Sequence, residues 1–208
     1  MNSPKHTSPK NTFEKFFPVN AVDYCFELWQ KHNFKFVISK KRNSKLGDYR
    51  YHHLHKSHTI TVNGDLNKFS FTVTFIHEVA HLVAGVTYGR NIAPHGTEWK
   101  VTFKLLMQPI LNNTVFPPDV LVPLQLYLKN AGASSCSDPQ LLKALQQYDH
   151  WHEGVVYLSD ISIEEKFIFN KRVFKKLERR RTRTLCLDLD NNKRYLIAEV
   201  AKVSRFVQ

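Results

Sequence analysis

The sequence predicts an α+β protein, with helices and a small sheet forming a core and a small β module at the C-terminal end. Three observations point that way. An apolar period of 3.6 residues runs through residues 67–88 and again through the segment after Pro94. Short strand-like stretches precede the first of these helices. After residue 150, leucine-rich helical patterning gives way to short β-rich segments separated by turn residues.

Each element follows in order. Residues 1–18 are rich in Ser, Pro and Lys and read as a flexible tail; they hold no apolar run of the kind a signal peptide needs. Residues 19–32 read as a helix with Val22, Phe26 and Trp29 on one face. FKFVIS at 34–39 and TITV at 59–62 read as strands, and the basic stretch between them as a turn with an irregular strand. Asn63-Gly64-Asp65 supplies turn chemistry and offers an N-cap to the next helix, with Gly89 as its C-terminal stop. The helix after Pro94 reaches about residue 111. Pro117-Pro118 breaks the chain, and 120–129 and 139–148 read as helices with Gly132-Ala133-Ser134-Ser135 as a linker. Segments 154–161, 166–169, 184–189 and 195–200 read as strands, with Asp190-Asn191-Asn192 as a turn. The expected division is a tail at 1–18, a core domain at 19–149 and a basic β-rich module at 150–208.

The bulk numbers narrow the function. At 208 residues and 42% hydrophobic, the chain has room for one domain with an appendage. Its net charge of +12 favours anionic partners, DNA among them. Cys25, Cys136 and Cys186 are odd in number, far apart and form no CxxC pair. That argues against a disulfide framework and suits a reducing cytoplasm. No apolar run reaches the length of a membrane span, so no membrane partner is expected.

The chemistry centres on His-Glu-Val-Ala-His at 77–81. Residues four apart share a helix face, so His77 and His81 can reach one metal ion, with Glu78 beside an open coordination position. The apolar stripe Phe71, Phe75, Ile76, Val79, Leu82, Val83 and Val86 lies on the other side. The two histidines therefore face solvent or a cleft. Catalytic zinc takes three protein ligands and keeps a water in the fourth position. Within Ala93-Pro94-His95-Gly96-Thr97-Glu98-Trp99, His95 is the third ligand best suited to zinc, and Gly96 permits close backbone approach. Trp99, Phe103, Leu106, Met107 and Ile110 give the following helix an apolar face to hold it. Glu98 is the rival ligand; otherwise it serves as a helix N-terminal charge or an outer partner of the site. The longer HExxHxxGxxH pattern is absent, since Ala84 and Thr87 stand where Gly and His would.

HEVAHLVAG…YGRNIAPHGTEWK resembles the SprT-like, or Spartan-like, zinc metallopeptidases, a family that includes a DNA–protein crosslink protease. The likeness takes in the helix, the spacing, the Pro-His-Gly turn, the Trp that follows and the preceding strand-then-helix entry. It spans about residues 20–130. It implies a zincin-like metallopeptidase core, zinc on His77, His81 and His95, and Glu78 as the catalytic base. The expected function is a cytoplasmic zinc-dependent metalloprotease acting on proteins, including those bound or crosslinked to DNA. The rival readings are a nucleic-acid-binding protein with a structural or idle zinc site, and a metallohydrolase for a non-peptide substrate. Glu78 beside an open position favours the enzyme. Many bacterial relatives end in a zinc ribbon with four cysteines. Here that region holds only Cys186, so the module is read as ribbon-like without zinc cysteines.

Other residues are less specific. Tyr88 and Arg90 are candidate oxyanion stabilisers. The segment before the motif helix is a candidate edge strand for extended substrate. His52, His53, His55 and His58 read as histidines on a basic surface loop, and His150 and His152 flank Trp151 in a hinge. From Lys166 to Arg205, thirteen Lys and Arg stand against four Asp and Glu, a net +9, with Phe167, Phe169, Phe174 and Tyr195 interleaved. Arg179, Arg180, Arg181 and Arg183 are the candidate nucleic-acid contacts.

Overall fold

Phe13, Phe16 and Phe17 stand three and four residues apart, the spacing that puts side chains on one face of a helix. That helix exists. A computed structural model describes residues 9–42, 45–129, 131, 138–150 and 153–206, and divides the chain into two units, 1–149 and 150–208. The first unit opens with α1 (Pro9–Phe16), a 3-10 turn (Val19–Ala21) and α2 (Val22–His32). Residues 9–17, expected within a flexible tail, are instead part of the core, with Phe13 and Phe17 buried. Phe13 stacks on Phe17 at 5.2 Å and meets Phe26 edge-on at 5.3 Å. The polar neighbours of these phenylalanines conceal an aromatic stripe.

A three-stranded sheet follows: β1 (Lys35–Ser39), β2 (Gly47–His52) and β3 (Ser57–Asn63), in the order β1-β3-β2. β1 runs parallel to β3 and β2 antiparallel to it, which leaves β2 on an edge. Then come α3 (Lys68–Thr87), α4 (Thr97–Met107), α5 (Pro118–Lys129) and α6 (Pro139–Gln146). The linker expected at 132–135, Cys136, Trp151 and His152 lie outside the described residues.

α3 is the axis of this unit, packed on β2 and β3 and against α1, α2, α4 and α6. Every residue from 70 to 80 is buried. By length and composition α3 could cross a membrane, which the sequence reading did not anticipate; 67% of its most apolar window is buried inside the protein, as in a central core helix. Its N-cap is Asn67 rather than a residue of 63–65. The Asn67 side chain accepts from the N–H groups of Phe69 and Ser70, and donates to Leu145 O at 2.9 Å. The expected stripe also ends early, since Val86 is exposed.

The second unit is a six-stranded antiparallel sheet, in the order β4-β9-β5-β6-β7-β8. The strands are β4 (Val155–Tyr157), β5 (Lys166–Phe169), β6 (Arg172–Arg179), β7 (Arg183–Asp188), β8 (Arg194–Ala198) and β9 (Lys202–Arg205). Leu158, Ile161, Phe167, Phe174, Cys186, Ile197 and Val203 form its core. β6 and β9 were not foreseen. β6 turns Lys176 inward, where a hydrophobic residue would have marked a strand. The buried Lys176 ammonium donates to Leu158 O at 2.8 Å and Ile161 O at 2.9 Å, which offsets the cost of burying it.

The α1 packing is directly testable. Phe13→Ala should lower the unfolding free energy by about 3–5 kcal/mol, as large core truncations do. Urea titration measures it; an unstructured tail would give no change.

Candidate metal centre

His77 and His81 project from the same face of α3, and the chain returns to them through the loop before α4. In that loop Gly96 N–H bonds Ala93 O at 2.9 Å, closing a tight turn with Pro94 and His95 at its centre. Pro presets the first central position, and the second has positive φ: His95 sits at φ 60°. A non-glycine residue held there costs stability, and such strain collects where function needs a side chain in one place. Gly96 makes the turn fit, because a Cβ on it would lie 3.0 Å from Ala93 O.

The result is a convergence of three imidazoles. His77 Nε2 lies 3.1 Å from His95 Nε2, His81 Nε2 lies 3.2 Å from His77 Nε2, and His81 Nε2 lies 3.0 Å from His95 Nε2. Three nitrogens about 2.0–2.1 Å from one tetrahedral ion would stand roughly 3.3 Å apart. The trio is thus close to the shape of a metal ligand set. Among the described residues it is the group of His, Cys, Asp and Glu side chains gathered closely enough to hold an ion. His52, His53, His55 and His58 form no such group.

Burial prepares these rings to act as ligands. His77 is lowered to about 3 by burial and by its two histidine neighbours; His81 is lowered to about 4 by burial and His95. Burial lowers His95 too. All three are neutral at pH 7, with lone pairs available. Trp99 forms the back wall. It is fully buried, and its ring centroid lies 4.6 Å from that of His77, 5.2 Å from His81 and 4.7 Å from His95. Phe103 stacks behind it at 4.9 Å. This apolar wall fixes the rings and excludes water from one side. Glu98 is not in the group; it sits in the first turn of α4, where a negative charge suits the helix dipole.

Glu78 is buried beside the trio, against β2. Burial is the main influence on its carboxyl and, with the nearby Asp48, pushes it up to about 8; a backbone hydrogen bond from Tyr49, Arg42 and Lys45 oppose this. A cation held by the histidines would draw it back down. The approach of β2 is possible only because residue 47 is glycine. A Cβ there would lie 2.8 Å from Thr74 Cγ2 and 2.9 Å from Glu78 Oε1.

The start of β2 is itself clamped. Asn63 donates to Arg42 O at 3.1 Å and Lys45 O at 3.0 Å, and accepts from Arg42 Nε at 2.8 Å. Arg42 also binds the Asp48 carboxylate, which Lys45 joins at 3.2 Å. Burial pushes Asp48 up, but these cations outweigh it and hold it below the ordinary carboxylate value. Sequence reasoning missed Gly47, Asp48 and Asn63. An isolated glycine at the head of a strand was the available signal for Gly47.

Tyr88 and Arg90 do not join this centre. Tyr88 caps α3 and is half exposed, while the Arg90 guanidinium lies over the Tyr51 ring at 3.5 Å. In the second unit, Arg179, Arg180, Arg181 and Arg183 come together, exposed, at the β6–β7 hairpin.

Comparison with known proteins agrees with the motif. The SprT-like family model matches residues 14–120. The chain is similar to Protein SprT of Pseudomonas fluorescens, at 35% identity over 92 residues, 40% of this chain and 54% of that protein. It thus spans about half the length of this curated relative. No solved structure matches.

The ligand set has a direct test. Elemental analysis after dialysis should find about one ion per chain in the parent and in Glu98→Ala, and little in His95→Ala. Metal loss in Glu98→Ala with retention in His95→Ala would reverse the assignment.

Proposed function

The chain belongs to the SprT-like family, and on that premise we propose that it is a zinc-dependent metalloprotease with a zincin-like core. The observation that carries this reading is a three-imidazole cluster with a buried carboxylate one residue away on the same helix. His77, His81 and His95 fit zinc in ligand type and spacing, and leave a fourth position for water or substrate. Zinc bound there would polarise a scissile carbonyl and make water more nucleophilic.

Glu78 takes the proton of the attacking water and passes it to the leaving amine. The backbone hydrogen bond from Tyr49 orients its carboxylate, and Gly47 keeps β2 close enough to supply that bond. The strand just before α3, β3, is central in its sheet rather than an edge; β2 has the free edge, where an extended substrate backbone can pair. A site serving only structure would not need Glu78.

The second unit supports a DNA-linked substrate. Part of its positive charge is already engaged: Lys176 is buried, Arg172 pairs with Asp188 and Lys175 with Glu164. At the β6–β7 hairpin Arg179 and Arg180 make long ion pairs, at 3.5 Å with Glu199 and 3.9 Å with Glu178, but all four arginines stay exposed, and they are the phosphate contacts in this reading. Cys25 and Cys186 are free and buried, which suits a reducing cytoplasm.

Two experiments test the two parts. Glu78→Gln should keep zinc and lose about 10²–10⁴-fold in casein hydrolysis, because the base is gone and the ligands remain. Undiminished hydrolysis would remove Glu78 from the mechanism. Reversing Arg179, Arg180, Arg181 and Arg183 to Glu should weaken binding to many DNA sequences alike, flatten its salt dependence and leave zinc content unchanged. Fluorescence anisotropy at two salt concentrations reads this. Parent-like binding would show that the hairpin is not the tether.

A further inference from the structure

One residue of α3 breaks a local rule without an internal reason. Gly85 stands one turn beyond His81, inside the helix, where only proline forms helix less well. A neighbour that excludes a side chain would be a packing reason for a glycine in such a place. Here nothing lies within 4 Å of where its Cβ would stand. The space in front of it is open.

That space is a groove of about 650 Å³ bordered by Gly85, Tyr49, Tyr51, His53, Lys56 and Arg90. Side chains alternate along a strand, so Gly47, Tyr49 and Tyr51 share the β2 face that turns toward α3. Gly47 touches Glu78, and Tyr51 borders the groove. Tyr49, whose backbone bonds Glu78, also borders the groove, so the groove lies along β2 next to the Glu78 side of the candidate metal centre. Its wall is braced, with the Tyr49 hydroxyl 3.0 Å from His58 Nδ1 and the Tyr51 and His53 rings edge-on at 4.9 Å.

The groove has one sign of charge. No carboxylate lines it. Among the described residues neither Arg90 nor Lys56 has an ion-pair partner. Arg90 is nevertheless held in place, stacked on Tyr51 at 3.5 Å. A guanidinium stacked on a ring keeps its N–H edge free for a bidentate anion. We propose that this groove is a subsite that selects an acidic side chain, Asp or Glu, of a polypeptide lying along β2. The proposal rests on the protease reading for its substrate. The edge strand β2, which borders the groove and reaches Glu78 through Tyr49, favours a polypeptide over a nucleic acid, and Gly85 lets the bound chain approach the helix backbone closely.

Binding can be measured apart from cleavage. Zinc-loaded, full-length Glu78→Gln protein is titrated into fluorescein-labelled peptides that differ only by Glu or Gln at one position, scanned along the peptide. At one position the Glu peptide should bind about tenfold more tightly, the worth of one charge-assisted hydrogen bond. Adding Arg90→Gln should abolish the difference and Arg90→Lys should keep part of it. Gly85→Leu, a better helix former, should weaken both peptides without lowering the melting temperature. Equal binding of the Glu and Gln peptides at every position overturns the proposal, as does unchanged affinity in Gly85→Leu. A single-stranded oligonucleotide that displaces the peptide, and whose own binding needs Arg90, overturns it in favour of phosphate. If Glu-selective binding is found but the parent cleaves none of these peptides, the acidic subsite stands and the protease reading fails.

Discussion

Three neutral imidazoles have turned ring nitrogens toward one another at 3.0–3.2 Å inside a largely buried site, and the first unit is organised around that convergence. Each neutral ring carries one N–H, so three facing nitrogens cannot all be satisfied by one another. Without a cation, lone pairs would face each other in a poorly hydrated place, and the histidines' lowered pKa values close the alternative of protonation at neutral pH. Neighbouring features hold the rings there nonetheless. α3 is clasped by the sheet and four helices, the 93–96 turn accepts a strained His95, and Trp99 touches all three rings. Metal affinity would therefore stabilise the fold itself, because binding to the native arrangement alone shifts the folding equilibrium.

Glu78 follows from the same economy of space. Its carboxyl is buried on the β2 side of α3, where desolvation alone would keep it protonated. Asp48 adds to that pressure, yet Asp48 is itself engaged by Arg42 and Lys45, and Asn63 fixes the backbone of both cations. This polar clamp also sets the head of β2. It thereby delivers the Tyr49 hydrogen bond to a carboxylate twenty-nine residues away in sequence. The clamp reaches Glu78 and the cluster is built on His77 and His81, neighbours on the same short stretch of α3, so the position of each depends on the packing of that stretch.

What the sequence disclosed follows from periodicity. His77 and His81 could be placed because a helix fixes the relation of residues four apart, and His95 because a Pro-His-Gly turn leads into an apolar helix. α3, α4, β1, β3 and β5 follow apolar patterns that one chain segment carries by itself. The failures share a cause as well. Phe13 in α1 and Phe17 just after it are buried among polar neighbours, and the partners of Phe13, such as Phe75 and Phe36, come from distant segments. β6 buries a lysine that two distant carbonyls satisfy. Gly47 matters because of Thr74 and Glu78, which no local pattern connects to it. Local patterns were legible; residues whose role is defined by a tertiary neighbour were not.

β2 joins these threads. Alternation gives one of its faces to α3, and along that face the residues change from Gly47 to Tyr49 to Tyr51. Gly47 is small so that the strand can press on Glu78; the tyrosines are large because α3 there presents Gly85 and then an exposed final turn, leaving a groove to be walled. Glu78 and the groove therefore share one rigid element whose outer edge remains unpaired within the sheet. A shift of β2 that improved access to the groove would also move the Tyr49 N–H away from Glu78. Arg90 stacking on Tyr51 and the Tyr49–His58 contact both resist such a shift, so the bracing of the groove wall also serves the geometry of the carboxylate.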